Sequence, residues 1–216
     1  DRIHFPDDLY RGDYIVDIAR QVLAEQGEKF LGVSEDEAVP FFTGYAAQTI
    51  LHGIKQDLTA FGVSFDTWFS EKSLFETGDV AASLEELISR NIAYRKDGAL
   101  WFKASGFGDE KDRVMVKEDG STTYFASDIA YHRNKFRRGF ERLINIWGAD
   151  HHGYVPRLKA MLKALGEPDN ALEVILVQMV NLLRQGKPVS MSTRSGEFVT
   201  LKEVLDEVGK DAARFI

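Results

Sequence analysis

The chain has 216 residues, of which 44% are hydrophobic, with a net charge of −7 and no cysteine, values typical of a globular protein with a sizeable core. No window approaches the roughly eighteen apolar residues of a membrane span, and a chain without cysteine forms neither disulfides nor thiolate metal sites. The absence of cysteine is compatible with a reducing cytoplasm, and we expect a cytoplasmic protein with no membrane partner and no structural metal. The opening DRIHFPDD, without an initiator Met, leads us to expect a piece of a longer protein.

The first hundred residues have mainly the spacing of helices. GDYIVDIARQVLAEQGEKFL carries an apolar stripe at helical intervals. The next predicted helix spans 34–62: Ser34 and Glu37 form a capping pattern, Pro40 is tolerable in a first turn, and Gly62 is a stop. SFDTWFSEKSLF predicts a short strand and turn, DVAASLEELISRNIAY a helix, ALWFKAS a strand and GFGDEKD a loop.

From residue 112 the pattern changes to alternating strands and helices. RVMVK predicts a strand, TTYFASDIAYHRNKF a strand running into a helix, and RLINIWG an apolar strand. ADHHGYVPRLKAMLKALG predicts a helix that Gly166 ends, and LEVILVQMV, which lacks alternation, predicts a strand buried on both faces. LKEVLDEVG and KDAARFI predict two closing helices. This order is typical of a parallel sheet covered by helices.

Positive charge is concentrated late in the chain. Residues 133–165 carry eight Lys/Arg against two acids, whereas residues 1–40 carry four Lys/Arg against ten acids. A phosphate-bearing partner would meet the basic stretch first, because a local field steers anions even when the whole protein repels them. A solvated helix face explains the same charges equally simply.

Three stretches hold candidate site residues. Gly148 and Asp150 follow a predicted strand, at the place where open parallel sheets bind ligands, and Asp150 could accept hydrogen bonds from ribose hydroxyls or merely cap a helix. Adjacent His151 and His152 point apart on a helix and do not predict a metal site.

The second stretch, TTYFASDIAYH, places Tyr124 and Asp128 four residues apart, with Tyr131 and His132 just beyond. A carboxylate beside aromatic rings suits a cationic ligand, although an aspartate near a helix start and core tyrosines fit the same letters. The third stretch, VSMSTRSGEF, offers hydroxyls, Arg194 and a flexible Gly196 for a phosphate chain. It is not a P-loop, and a solvent loop is the alternative.

Together YFASDIAYH, WGADHHGY and VSMSTRSGEFVTL resemble the second half of the catalytic domain of arginyl-tRNA synthetase, a class I aminoacyl-tRNA synthetase. PDDLYRGDYIVDIA, FGVSFDTWFSE and VLDEVGKDAARF are similar to the same family, so the resemblance covers essentially the whole chain. It implies an α/β fold, the C-terminal part of a Rossmann-like, HUP-type nucleotide-binding fold with a largely helical insertion. Residues 1–111 would be the insertion-like region with a few short strands, 112–200 the later strands and helices, and 201–216 the start of the connection to an anticodon-binding domain.

The resemblance also implies roles for single residues. Catalytic roles, in the mobile loop that grips the pyrophosphate of ATP, fall to Ser192, Thr193 and Arg194. Recognition of arginine falls to Tyr124, Asp128, Tyr131 and His132, with Asp128 on the guanidinium. ATP contacts fall to Gly148, Ala149, Asp150, His152, Met179, Val180 and Met191. ATP is expected as a substrate with Mg²⁺, and the partners are arginine, ATP and tRNA(Arg), for an intact enzyme expected to be monomeric.

Two departures from the family pattern matter. The loop Ser190–Arg194 lacks both lysines of the KMSKS motif, and no HIGH motif occurs in the chain. Because half of the expected donors would then lie elsewhere, we expect negligible aminoacylation by this chain alone. Two alternatives stay open: a non-catalytic synthetase-derived module that binds tRNA or protein through 133–165, and another nucleotidyltransferase of the same fold acting on a small carboxylate.

Overall fold

A computed structural model of the protein describes residues 12–189 and 199–215. These residues group into two compact units. One comprises the described residues up to Thr67 together with those from Asn181 onward, and the other comprises Trp68–Val180. Helices and a parallel pair of strands confirm the predicted α/β class, while the domain boundaries after residues 111 and 200 stay a prediction.

The first unit begins with two helices at the predicted positions, α1 (Asp13–Gln26) and α2 (Glu35–Phe61). α2 ends at Gly62, whose φ of 80° lies in the left-handed region that a residue without Cβ adopts easily. Two details of the prediction are wrong. The Ser34 side chain makes no capping hydrogen bond, and Pro40 lies inside α2 beyond its first turn.

The second unit opens with two short helices, α3 (Glu71–Glu76) and α4 (Asp79–Ser89), and a three-stranded antiparallel sheet. Its strands, in spatial order, are β1 (Ala93–Lys96), β2 (Ala99–Phe102) and β3 (Arg113–Val116). The strand predicted within 64–75 is wrong, because that stretch is irregular chain followed by α3. The helix predicted to reach Tyr94 ends at Ser89, since Asn91 takes a φ of 57° that no helix continues through.

The parallel sheet predicted from the later residues is confirmed. It follows α5 (Tyr124–Arg137) and pairs β4 (Leu143–Gly148) with β5 (Leu172–Val177) in register. Between them lie a 3₁₀ segment (Ala149–Tyr154) and α6 (Val155–Leu165), which ends at Gly166 with a left-handed φ of 91°. The strand predicted before α5 is reduced to a single bridge between Val116 and Thr122.

The expectation that β5 is buried on both faces is wrong for the described residues. Leu143, Asn145 and Leu172 are buried on one face, whereas Ile146 and Ile175, paired on the other face, are 67% and 44% exposed. The core joins the buried face of the strands to α5, α6 and the antiparallel sheet. Its largest fully buried apolar side chains are Leu74, Leu87, Phe102, Met115, Ile129, Leu158 and Met161.

The chain then returns to the first unit through a hairpin that the sequence did not predict, β6 (Leu183–Arg184) and β7 (Lys187–Pro188). It ends with α7 (Leu201–Phe215), which is interrupted at Gly209 and so accounts for the two predicted helices. Arg214 donates to the carbonyl oxygens of Phe61 and Gly62, at 3.0 and 3.2 Å, at the end of α2. None of the helices in the described part of the chain combines the length and apolar character that a membrane crossing needs.

Candidate functional site

Asp128 lies in the second turn of α5 and faces the end of the segment that follows β4. The Thr123 hydroxyl donates to the carbonyl oxygen of Val114 at 2.9 Å, which ties the start of α5 to β3. The Tyr154 hydroxyl, at the end of the 3₁₀ segment, donates to Oδ2 of Asp128 at 2.5 Å. Helix α5 and the end of the 3₁₀ segment therefore meet at one carboxylate, through two residues that are 26 positions apart.

The electrostatics of this pair suit a cation. Burial raises the pKa of Asp128, and the hydrogen bond from Tyr154 and the charges of Lys135 and Arg157 oppose that rise. Burial and the bond to Asp128 raise the pKa of Tyr154, so the phenol stays protonated and acts as the donor. A partly buried carboxylate is stabilised by a cationic partner, and groups whose pKa is shifted by burial and a specific neighbour are found at functional sites.

His132 lies behind Asp128, and both of its ring nitrogens are engaged. Its side chain is buried, with Nδ1 2.8 Å from the Asp128 carbonyl oxygen and Nε2 3.2 Å from the amide nitrogen of Asn145. Because a carbonyl only accepts, Nδ1 carries the proton and Nε2 accepts from Asn145. Burial lowers the pKa of His132 to about 4, so the ring is neutral at pH 7. A contact between His132 and a ligand would require breaking one of these bonds.

The tyrosines of α5 have different surroundings. The Tyr131 ring stacks on Phe69 at 4.5 Å between centroids, and the Lys135 ammonium lies 4.3 Å from the Tyr131 ring centre. Tyr124, by contrast, is 86% exposed. Its ring borders an open depression of about 500 Å³ that Tyr154 and other side chains also line, namely Trp101, Phe125 and Arg157. Of the four predicted arginine-binding residues, Tyr124 is exposed and Asp128 bonds Tyr154, whereas the rings of Tyr131 and His132 are engaged with Phe69 and Asn145.

The predicted nucleotide-binding residues lie at the carboxyl ends of β4 and β5. Gly148 pairs with Val177, so Ala149 and Asp150 leave the sheet at the same edge as exposed Met179 and Val180. A Cβ on Gly148 would lie 2.4 Å from Oδ1 of Asp150, so the fold-back of this carboxylate requires glycine there.

Asp150 itself is not a capping residue in the described structure. The N-cap positions of the 3₁₀ segment and of α6 are Gly148 and Tyr154, and neither makes a side-chain cap hydrogen bond. The Asp150 carboxylate lies 3.5 Å from Nε2 of His151, and exposed His152 is bonded through Nδ1 to the carbonyl oxygen of Ala149 at 3.0 Å. In residues 12–189 and 199–215, no group of three His, Cys, Asp or Glu could hold a metal ion.

The polar loop predicted to bind pyrophosphate lies outside the described residues. This applies to Met191, Ser192, Thr193 and Arg194, together with the flanking Ser190, Ser195 and Gly196. Their role in binding the pyrophosphate of ATP stays a prediction.

Three of the eight Lys/Arg in the stretch 133–165 form ion pairs with described carboxylates of their own unit. Arg133 donates to the Ser83 hydroxyl at 2.8 Å and forms an ion pair with Glu86. The other two pairs are Arg137 with Asp79 at 2.8 Å and Arg142 with Glu173 at 2.5 Å. These carboxylates neutralise three of the positive charges that made residues 133–165 look like one basic surface in the sequence.

Sequence reasoning missed Tyr154 and Asn145, which both contact α5. Asn145 carried a signal, since it is the polar residue inside the apolar strand LINIWG and such a residue needs a buried partner. No pattern in the sequence pointed to Tyr154, because it lies 26 residues after Asp128 and local sequence spacing does not predict contacts over that distance.

The chain is similar to known proteins over nearly its whole length. Residues 20–216 match the family described as tRNA synthetases class I (R), catalytic domain. The arginine–tRNA ligase of Geobacter sp. (strain M21) is 58% identical over 215 residues, which cover all of this chain and 39% of that protein. The arginine–tRNA ligase of Desulfosudis oleivorans is 60% identical over 214 residues, 99% of this chain and 38% of the relative.

Solved structures agree with the sequence relatives. A crystal structure from Campylobacter jejuni, assigned as an arginyl-tRNA synthetase, superposes with a TM-score of 0.90 at 42% identity and covers 100% of this chain and 46% of that one. The Thermus thermophilus arginyl-tRNA synthetase superposes with a TM-score of 0.62 at 19% identity, over 93% of this chain and 39% of that one, and supports the fold alone. The chain spans about two fifths of the length of the curated relatives that it matches, 39% of the Geobacter protein.

Proposed function

We propose, since this chain belongs to the family of class I tRNA synthetases for arginine, that it is part of an arginine–tRNA ligase. Such an enzyme activates arginine with ATP, releasing pyrophosphate, and then transfers the arginyl group to the terminal adenosine of tRNA(Arg), releasing AMP. The observation that carries the proposal is the Asp128 carboxylate held by Tyr154, one helical turn after the exposed Tyr124 on the same helix. The cytoplasm is the proposed location, and a monomer is the proposed state of the intact enzyme.

Asp128 is the proposed anchor for the guanidinium of arginine. A guanidinium is a planar fork of donors that a carboxylate accepts in pairs, and its charge offsets the cost of keeping Asp128 ionised while partly buried. The Tyr124 ring lies one helical turn before Asp128 and would pack beside the ligand stem or over the cation. Tyr131 and His132 are proposed to support the site from within the protein, since their rings are engaged with Phe69 and Asn145.

The carboxyl ends of β4 and β5 are the proposed place for ATP. The backbone at Gly148 and Ala149 would border the adenosine, and Asp150, whose carboxylate lies over Gly148, would accept from the ribose hydroxyls. The remaining proposed ATP contacts are His152, Met179, Val180 and Met191. Ser192, Thr193 and Arg194 would bind the pyrophosphate, and Mg²⁺ would arrive with the nucleotide.

The chain by itself is proposed not to complete this reaction, because it spans only 39% of the Geobacter relative. Arginine-dependent exchange between ATP and pyrophosphate, with tRNA included, measures this directly. We expect no turnover above background from the 216-residue chain. Exchange near the rate of a full-length synthetase would refute this part of the proposal.

Ligand discrimination by the full-length enzyme that contains this chain tests the arginine site. Calorimetric titration would compare arginine with citrulline, which has the same shape without the charge, and with lysine, which has the charge without the fork. Asp128→Asn should weaken arginine binding by about thirtyfold to a few thousandfold, since removing one partner of a buried charge pair costs about 2–5 kcal/mol. It should leave citrulline binding nearly unchanged.

Asp79→Asn is the matched control, because Asp79 forms its ion pair with Arg137 on α5. This variant should keep the wild-type preference for arginine. If the wild type does not distinguish arginine from citrulline, or if Asp128→Asn keeps that preference, arginine is not bound through Asp128.

A further inference from the structure

The main chain of Asp128 is fixed by contacts that do not involve its carboxylate. His132, one helical turn later, bonds the Asp128 carbonyl oxygen through Nδ1 at 2.8 Å and accepts from Asn145 of β4 through Nε2 at 3.2 Å. The Asn145 side-chain oxygen accepts from Lys135 at 3.4 Å. These bonds hold helix α5 against β4 next to Asp128. The backbone of Asp128 is therefore fixed, and its side chain can move only by rotating.

The hydroxyl of Tyr154 limits that rotation. It holds Oδ2 of Asp128 at 2.5 Å, and among the described residues no side chain or backbone group donates to Oδ1. One oxygen is thus bound to the protein, and the other is left for a ligand.

The ring of Tyr154 has contacts of its own, separate from the hydroxyl. It meets Trp147 and Phe125 edge to face, at 5.8 and 6.4 Å between centroids, and the Arg157 guanidinium lies 4.6 Å from its centre. Phenylalanine would keep the ring contacts with Trp147 and Phe125, while the hydroxyl itself interacts with Arg157 as well as with Asp128. The hydroxyl is therefore not needed to fill the core, and its bond to a carboxylate in the candidate site needs another explanation.

We infer that Tyr154 is a positioning residue for arginine, which acts through Asp128 by holding one carboxylate oxygen so that the other meets the guanidinium. The inference rests on the proposed function of Asp128. It gives Tyr154 no contact with the substrate. A carboxylate held at one oxygen loses less rotational freedom when the ligand binds, so the hydroxyl favours the charged ligand selectively.

The test is Tyr154→Phe in the full-length enzyme, with dissociation constants measured for arginine and for citrulline. The variant should weaken arginine binding by about ten- to a hundredfold, the range for losing a hydrogen bond to a charged group, and citrulline binding by less than about twofold. The KM for arginine should rise accordingly while kcat at saturating arginine stays near wild type. In an Asp128→Asn background, Tyr154→Phe should cause no further loss.

Tyr94→Phe is the matched control, because Tyr94 also donates to an aspartate, Asp112, at 2.9 Å in the same unit. It should leave both dissociation constants unchanged. Equal losses of arginine and citrulline binding in Tyr154→Phe, or an equal loss with and without Asp128→Asn, would mean a merely structural role and overturn the inference. So would unchanged arginine binding. Failure of the proposed function is seen separately, as a wild-type enzyme that does not prefer arginine to citrulline.

Discussion

The buried ion pair between Asp109 and Arg113 provides a quantitative test of what stabilises the second unit. Arg113 donates to both carboxylate oxygens, from Nε to Oδ2 and from Nη2 to Oδ1, each at 2.7 Å. The Asp109 and Arg113 side chains are 2% and 11% exposed. Asp109→Asn keeps the shape of the side chain and removes its charge, so the guanidinium is left buried beside a neutral amide.

The expected cost follows from this burial. Breaking a buried pair by neutralising one partner destabilises by about 3–5 kcal/mol. Arg113 also meets Glu110 at 3.2 Å, and that exposed carboxylate partly compensates, so we expect a loss near the lower limit, about 3 kcal/mol. Asp79→Asn breaks the pair with Arg137, whose side chain is 51% exposed, and should cost only about 0.2–1 kcal/mol.

Urea unfolding followed by tryptophan fluorescence measures both variants. The three tryptophans of the chain, Trp68, Trp101 and Trp147, all lie in the unit Trp68–Val180, so the signal reports the unit that contains both ion pairs. With an m-value of about 1–3 kcal/mol/M, Asp109→Asn should lower the midpoint by about 1–3 M. Equal shifts for the two variants, or a shift for Asp109→Asn below that for Asp79→Asn, would refute the reasoning from burial.

Three further outcomes are expected. Hydrogen bonds from Arg113 hold the pKa of Asp109 below its ordinary value. The Asp109 carboxylate therefore stabilises the fold fully above its unfolded pKa of about 3.9. In acid unfolding, the stability difference between wild type and Asp109→Asn should shrink as the pH falls below about 4. Burial raises the pKa of Asp128, so arginine affinity, measured by titration across pH, should fall on acidification already above the ordinary aspartate value of about 3.9; loss beginning only below that value would contradict this. Gly148→Ala should displace the Asp150 carboxylate, which lies 2.4 Å from the position of the new methyl group. The KM for ATP should then rise about two- to tenfold, while the KM for arginine stays unchanged. Equal rises in both KM values would argue against a nucleotide role for this site.

Local signals in the sequence predicted most of the helices and their ends. Gly62 and Gly166 stop α2 and α6 with left-handed φ angles, a property that depends on one residue and its neighbours. Continuous apolar runs predicted the parallel strands β4 and β5, but not that one apolar face of these strands, with Ile146 and Ile175, is exposed in the described residues. The prediction was wrong at the start of β1, because the helix predicted to reach Tyr94 overlaps this strand, which begins at Ala93.

The candidate site also combines features that the sequence predicted with features that only the folded structure shows. The sequence placed Tyr124 and Asp128 four residues apart across a predicted strand-to-helix junction, and the family resemblance assigned both residues to arginine. The structure puts both of them on helix α5. The tertiary structure alone decided that Tyr154 bonds Asp128, that His132 is buried against Asn145 and that Arg133 and Arg137 pair with acids of α4. The physical reason is distance along the chain. Helix spacing and turn geometry arise from residues within a few positions of each other, whereas these partners are separated by 13 to 58 residues and meet only once the chain has folded.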